Sequence, residues 1–439
     1  MKLTPSALTY TLENLMEIAF PELPHTIELG KNDALVTLLG DIQLRFMLMD
    51  SEQNENLLSG TLRLSTLHTS WGHAVPIYHF YASENFYTID NREVTFLCDL
   101  VTIPFMMLSR YEESLTDKTD IHDRYQFENS LAARYDFIDY PIVDEYALMI
   151  RHWAKSLFPQ LPVNERKGQL IATHDIDIIS RFGHLIKNIR TILGGDLLNR
   201  RSWTMAKKSF RQYHDYRGDK NKDPYIVAIE MFLKLSLNAQ VSSKFFFKGL
   251  VDNEYDATYN IYHPEAKYII TKIEEAGMEV GLHGGYRSYD DTATFGMEKS
   301  RLEEVCGHAI HSQRQHFLRF DIRKTIRVWE ESDIKHDYTL GYAEREGFRC
   351  GTAHPYKLYD IVNDRPTQIV EHPLIAMDGT FFQYRKIDCQ EALEKIRELY
   401  ETCLQTEGDF VILWHNTTVF REYENWYQEV FRRLMESIH

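Results

Sequence analysis

The rhythm of hydrophobic and polar positions changes near residue 162. Before it, short alternating runs at 34–39 and 62–67 predict strands set among helical patterns. Residues 97–109 form the most apolar stretch and predict core, and the charge-rich segment 110–124 predicts a solvated loop. At 143–158, Tyr146, Met149, Ile150, Trp153 and Leu157 recur at helical spacing, with Pro159 and Pro162 closing the helix. Beyond 167, apolar runs at 170–172, 243–247, 279–282, 314–320, 338–342, 371–378 and 409–415 alternate with helical patterns at 226–237, 263–277, 322–332 and 389–406. Such alternation implies a parallel sheet with crossover helices, open or closed. The chain therefore reads as an N-terminal α+β domain, 1–162, followed by an α/β domain, 163–439.

Residue types that carry chemistry gather where the predicted strands end, the edge at which α/β folds bind ligands. Leu170, Ile171 and Ala172 run into His174, Asp175 and Asp177. Asp175 and Asp177 are two apart, so on an extended backbone both carboxylates project to one side. Two anions that close repel unless a cation or a shared proton separates them. Asp177 capping a following helix, with Asp175 bonding loop amides, satisfies the same pattern. A second strand end leads into His283, Gly284 and Gly285, and glycine lets backbone approach a ligand closely. Asp117, Asp120, His122 and Asp123 have donor side chains but fall in the predicted loop, which favours solvation over metal binding.

Composition acts mainly by exclusion. A net charge of -16 argues against a general nucleic-acid binder, since phosphate binding needs a basic surface. No apolar run reaches the length of a membrane span, and the N-terminus lacks a basic region followed by an apolar core, so a cytoplasmic location is expected. The five cysteines are scattered and never form a Cys-x-x-Cys pair; they read as reduced thiols with no thiolate metal cluster. Within this acidic chain, 181–222 holds eleven Lys or Arg against three Asp, with Leu185, Ile189, Ile192 and Leu193 on one amphipathic face beside Lys187 and Arg190. A solvated surface insertion is the first reading, and peripheral contact with an anionic membrane or glycan is the alternative.

Taken in order, residues 169–439 resemble the NodB-type polysaccharide deacetylases, carbohydrate esterase family 4, in a divergent bacterial branch with an extra N-terminal domain. Thr173-His-Asp-Ile-Asp177 is similar to the family's Thr-Phe-Asp-Asp-Gly motif, and Ser243-Lys-Phe-Phe-Phe247 to its Ala-Thr-Phe-Phe strand. Gly277-Met-Glu-Val-Gly-Leu-His283 resembles the run into its second motif, and Leu413-Trp-His415 its Leu-x-His motif. The resemblance implies a distorted (β/α)7 barrel with its site at the C-terminal strand ends. It puts Asp175 in the general-base slot, His415 in the general-acid slot and His283 in a metal-ligand slot, with Leu413 against the acetyl methyl.

Departures from the family pattern also matter. Ile176 stands where the family has its metal-binding Asp, so Asp177 serves only if the strand can present it, and a bulge is one way. Arg287 occupies the position of the second motif's further His, and a guanidinium binds no metal. His174, His316 and Asp378 are candidates for the missing ligand, with His174 put forward beside Asp177 and His283. The family's Arg-Pro motif has no clean counterpart, and Arg314 and Arg319 lie in the corresponding region. Substrate contacts are assigned to Arg314, His316, Arg319, Tyr286, Leu413 and Trp414.

The implied activity is hydrolysis of acetyl groups on an N- or O-acetylated sugar, glycan or glycan precursor. It needs a zinc-like divalent ion with three protein ligands, a base and an acid. Two other readings stand beside it: a catalytically inactive barrel that binds a glycan or a protein, and a hydrolase of a linear non-sugar amide.

Overall fold

The computed structural model describes residues 2–81, 85–182, 203–250, 253–256, 259–419 and 424–438. The first layer is a five-stranded sheet of β1 (His25–Leu29), β2 (Asp33–Leu38), β3 (Ile42–Met47), β6 (Tyr87–Asp90) and β7 (Glu93–Phe96), in the order β1-β2-β3-β7-β6. A hairpin of β4 (Ser65–His68) and β5 (Ala74–Ile77) stands apart from it. Strict alternation buries Ala34, Val36 and Leu38 of β2 and Ile42, Leu44 and Phe46 of β3 on one face. The helix Ile142–Leu157 covers that layer, its Trp153 stacked on Phe86 with ring centroids 5.5 Å apart. The apolar run near residue 100 is core as expected, with the helix Thr102–Leu108 buried throughout.

The second layer is a nine-stranded curled sheet. Its strands are β8 (Leu170–Ile176), β9 (Ser242–Phe247), β10 (Glu279–Gly284), β11 (Ser312–Gln315), β12 (His336–Asp337), β13 (Tyr356–Asp360), β14 (Arg365–Glu371), β15 (Leu374–Met377) and β16 (Phe410–Leu413). They lie in the order β13-β14-β12-β11-β10-β9-β8-β16-β15, all neighbours parallel except β13 with β14. Helices such as Pro224–Ala239, Pro264–Glu275 and Cys389–Gln405 form the crossovers. The ladder ends at β13 and β15, so among the described residues the sheet is a curl and not a hydrogen-bonded ring.

The pleat of β8 sorts its side chains between two environments. Leu170, Ala172 and Ile176 join the large core beneath the helices, whereas Ile171 joins Phe246, Leu318, Tyr338, Met377 and Leu413 inside the curl. Gly281 of β10 makes room for that inner layer, because a Cβ there would meet the Phe246 ring at 2.6 Å and the Ser312 carbonyl oxygen at 2.9 Å.

Two expected strands are displaced from their apolar runs: β12 lies before the 338–342 run, which itself forms no strand, and β11 takes in only the first two residues of 314–320. β12 stops at Asp337: the Tyr338 N–H still donates to the Gln313 carbonyl, but beyond it side chains take the backbone groups, the Leu340 N–H donating to Glu371 Oε1 and the Gln315 N–H of the neighbouring strand to Thr339 Oγ1. β11 stops at Gln315 and gives way to a tight turn in which Phe317 and Leu318 both adopt left-handed backbone, φ 60° and 56°. Such backbone is costly for large side chains.

The segment 110–124 also departs in part from its expectation. Its middle is solvated, with Leu115, Asp117, Ile121 and Asp123 exposed, but Arg110, Glu112, Glu113 and Arg124 at its two ends are buried. Their charges are tolerated because they pair. Arg110 binds Glu112 and Glu113, Arg349 binds Glu113 at 2.8 Å, and Arg124 binds Asp120 at 2.6 Å. The segment thereby ties the N-terminal region to the curl, where Arg124 Nη1 donates to the Phe317 carbonyl and Arg319 Nε to the His122 carbonyl. No described helix is long and apolar enough to cross a membrane. Of the basic stretch, residues 183–202, with the amphipathic face expected there, lie outside the described residues; the helix Trp203–Gly218 that follows exposes Trp203 and Phe210.

Candidate metal centre and cleft

Alternation along β8 carries Asp175 and Asp177 to the inside of the curl, with His174 and Ile176 outside. No bulge is needed, since the pairing of β8 with β9 runs unbroken to Ile176. Asp177 Oδ1 lies 3.4 Å from His283 Nε2 and 3.4 Å from His316 Nε2. His283 is the inward residue near the end of β10, and His316 opens the tight turn after β11. The ring nitrogens facing away from Asp177 are engaged: His283 Nδ1–H donates to the Arg314 carbonyl at 2.9 Å, and His316 Nδ1–H to Asp256 Oδ1 at 2.6 Å. Both Nε2 lone pairs are therefore directed inward, the arrangement by which outer partners fix a ligating imidazole.

These three side chains fit a divalent cation. His283 Nε2 is buried with no hydrogen-bond partner, and Asp177 Oδ1 has none beyond ion pairs. Donors about 2.1 Å from a tetrahedral ion lie about 3.4 Å from one another, which is the spacing seen. One carboxylate and two imidazoles are also a donor set typical of zinc and related ions.

Beside this group Asp175 is buried, with Oδ1 accepting from Arg314 Nη1 at 3.1 Å and Oδ2 3.6 Å from His283 Nε2. Burial pushes its carboxyl pKa up, but His283, Arg314 and His415 outweigh that and hold it below the usual range. Burial likewise opposes ionisation of Asp177, yet Lys248, His316, His283 and His415 hold it well below. His415 follows β16. Its Nδ1–H donates to Asp378 Oδ1 at 2.7 Å and its backbone N–H to Asp378 Oδ2 at 2.9 Å, while Nε2 stands 4.0 Å from Asp175 and 3.8 Å from Asp177. Burial would lower its pKa, but Asp378 foremost, then Asp177 and Asp175, raise it to about 10, which favours the protonated ring. His316, by contrast, is pushed down to about 4, chiefly by burial.

These groups open on a cavity of about 240 Å³. Leu318, Ala343, Met377 and Leu413 give it an apolar wall, and Arg124, Gln383, Tyr384, Thr417 and Thr418 a polar rim. The site can thus hold a cation, keep a base ionised, present a proton and seat a small apolar group beside a hydroxyl-rich one.

Several expected site residues lie elsewhere. His174 is not near the cation group: it stacks on Phe232 at 4.1 Å, its Nδ1–H donates to the Trp414 carbonyl, and burial pushes its pKa down to about 3. The reason is its odd position in the β8 alternation, which points it at the helices. Trp414 is outside for the same reason, fully buried against Phe431. Arg314 is fully buried and braces Asp175 and the Tyr338 carbonyl without lining the cleft. Arg319 and Tyr286 form a bracket for the N-terminal segment: the guanidinium lies 4.1 Å from the Tyr286 ring centre, and Tyr286 Oη pairs with His122 Nδ1 at 3.1 Å. His316 sits in the cation group and also touches the cleft, and Leu413 lines the cleft. Arg287 is exposed.

Lys248, Asp256 and Arg124 were not foreseen. Lys248 directly follows the Phe-rich strand β9, and a lysine ending so apolar a run was the signal available. Nothing local marks Asp256. Asp378 was considered as a ligand and instead orients His415.

Residues 25–159 match a family described as a family of unknown function (DUF7033). Among solved structures the chain is similar to a candidate polysaccharide deacetylase from Mycobacterium smegmatis, at 19% identity over 63% of this chain and 87% of that one, TM-score 0.39. It is also similar to a candidate polysaccharide deacetylase involved in O-antigen biosynthesis from Bordetella bronchiseptica, at 14% identity over 62% and 81%, TM-score 0.31. A third is a mutant of a CE4-family pseudoenzyme with restored enzymatic activity, at 10% identity over 62% of each chain, TM-score 0.28. No curated protein matches this sequence. Each of these likenesses covers 62–63% of the chain, and residues 25–159 carry the family of unknown function.

Proposed function

We propose that this chain is a metal-dependent hydrolase that removes acetyl groups from an N- or O-acetylated sugar or polysaccharide. The observation that carries the reading is the meeting of Asp177, His283 and His316, with two inward lone pairs, beside an ionised Asp175 and a protonated His415. Asp177, His283 and His316 would hold the ion, which would supply Lewis acidity for activating water near neutral pH and polarising the acyl carbonyl. Asp175 keeps Oδ2 free of hydrogen bonds while Arg314 fixes Oδ1, so Oδ2 is the atom that takes the proton from water. His415 Nε2–H gives a proton to the departing amine or alkoxide, and Asp378 holds the ring for that transfer. Leu413, Met377 and Ala343 receive the acetyl methyl, while Arg124 and Tyr384 meet sugar hydroxyls.

The sugar class rests on the motif resemblance and the polar rim, since the catalytic groups alone would serve any acyl bond. Elemental analysis combined with acetate release from acetylated oligosaccharides tests the reading. One zinc-like ion per chain, lost in His283→Ala and His316→Ala, is expected, with acetate release lowered ~10²–10⁴-fold in Asp175→Asn. Metal-free wild type that releases no acetate after zinc addition would sink it.

One observation favours the inactive, binding-only reading: Lys248 already supplies a positive charge to Asp177. Peripheral contact of 181–222 with an anionic surface is a further part of the proposal, supported by Trp203 and Phe210 standing exposed beside Lys207 and Arg211.

A further inference from the structure

Lys248 is a cation where a cation is expected to bind. It is 1% exposed, and its Nζ lies 3.2 Å from Asp177 Oδ1, 3.1 Å from Asp256 Oδ1, and 3.2 and 3.1 Å from the two ring nitrogens of His316. The ammonium stands almost equally far from both ring nitrogens, so it is divided between them and an ion arriving at Nε2 must displace that contact. A buried lysine is costly unless its charge is matched, and two carboxylates, Asp177 and Asp256, match it here. Any ion about 2.1 Å from both Asp177 Oδ1 and His316 Nε2 must come within about 4 Å of Nζ, because the ammonium is little more than 3 Å from each.

We propose that Lys248 is a resident counter-cation of the metal centre. It holds Asp177, Asp256 and His316 together before a divalent cation arrives, and its fixed charge weakens the binding of that cation. The inference rests on the metal-site reading above and adds a residue that tunes the site without ligating. Its Coulomb repulsion with a dication acts in a poorly solvated place, where like charges a few ångströms apart interact strongly. A centre built this way exchanges its ion more readily than the same three ligands would alone.

The test is zinc affinity of the full-length protein, measured by competition with a chelating dye. Lys248→Met, and Lys248→Gln as the polar alternative, should bind zinc at least about tenfold more tightly than wild type. Lys248→Arg, which keeps the charge, should stay within about threefold of wild type. Adding His283→Ala to Lys248→Met should abolish the gain, placing the ion on these ligands. Thermal melting keeps the measurement interpretable: without metal Lys248→Met should melt below wild type, and zinc should raise its melting temperature by more than it raises that of wild type. Equal or weaker zinc binding by both neutral variants, with wild type still binding, overturns the role of Lys248 and leaves the metal centre standing. No zinc binding by wild type or by either variant refutes the metal centre and this inference together.

Discussion

Asp378→Asn is the most informative perturbation of the proton-donating side of the cleft. Asp378 is fully buried and accepts from the His415 ring, the His415 backbone and the Gly379 N–H, at 2.7, 2.9 and 2.7 Å. The rise of His415 from 6.5 to about 10 corresponds to ~5 kcal/mol of preference for the imidazolium. Asp378 is the largest contributor after the opposing effect of burial, while Asp177 and Asp175 remain in the variant. Removing one close opposite charge shifts a pKa by about 1–3 pH units, or ~1.4–4 kcal/mol. His415 in Asp378→Asn should therefore titrate that much lower.

Isotope-labelled histidine observed by NMR in metal-free protein reads this directly, with His415→Gln assigning the resonance. Linkage gives an independent check. Because the folded pKa is raised, the stability from His415 is fully present below about 6.5 and is lost as pH rises through about 10. The stability difference between wild type and Asp378→Asn should thus be constant at low pH and shrink on the alkaline side. A wild-type His415 that titrates near 6.5, or one unmoved by the substitution, would refute the reasoning.

Further outcomes follow from the same geometry. His174, His354 and His372 are buried neutral, pushed by burial to about 3, 4 and 3, so the unfolded chain takes up protons that the native one refuses. Between pH 6.5 and 4 these three should remove up to ~4 kcal/mol of stability per pH unit on acidification, read by denaturant titrations, and His354→Gln should flatten the slope by about a third; an unchanged slope counts against their burial. Asp175→Asn should lower acetate release by ~10²–10⁴-fold while keeping its metal; loss of both would recast Asp175 as a ligand. His174→Phe should keep full zinc stoichiometry, whereas His316→Ala should lose it, and the reverse result would exchange their roles. Pelleting with anionic vesicles should fall on Trp203→Ser with Phe210→Ser, and pelleting equal to wild type would remove the surface contact.

Much of the fold was legible because it rests on local periodicity. β8, β9, β10 and β16 and the helices Ile142–Leu157 and Cys389–Gln405 lie within a few residues of their patterns. β13 and β14 escaped notice, and 338–342 misled, because buried apolar residues pack equally well in strands and in irregular backbone whose polar groups are satisfied by Glu371 and Thr339. The ends of the segment 110–124 looked solvated for a related reason: charge predicts exposure only until a partner from a distant part of the chain, here Arg349, neutralises it.

The sequence by itself determined the class of fold and the strand ends at which donors collect, because alternation on a strand and spacing on a helix are local properties. It put Asp175, Asp177, His283 and His415 at those ends. Only the tertiary structure decided which side chains meet. It turned His174 and Trp414 toward the helices, brought His316 to Asp177 from a turn 139 residues away, and placed Asp256 and Lys248 behind it. Those meetings depend on the register and curl of the sheet, which sum contacts from the whole chain and which no short stretch encodes.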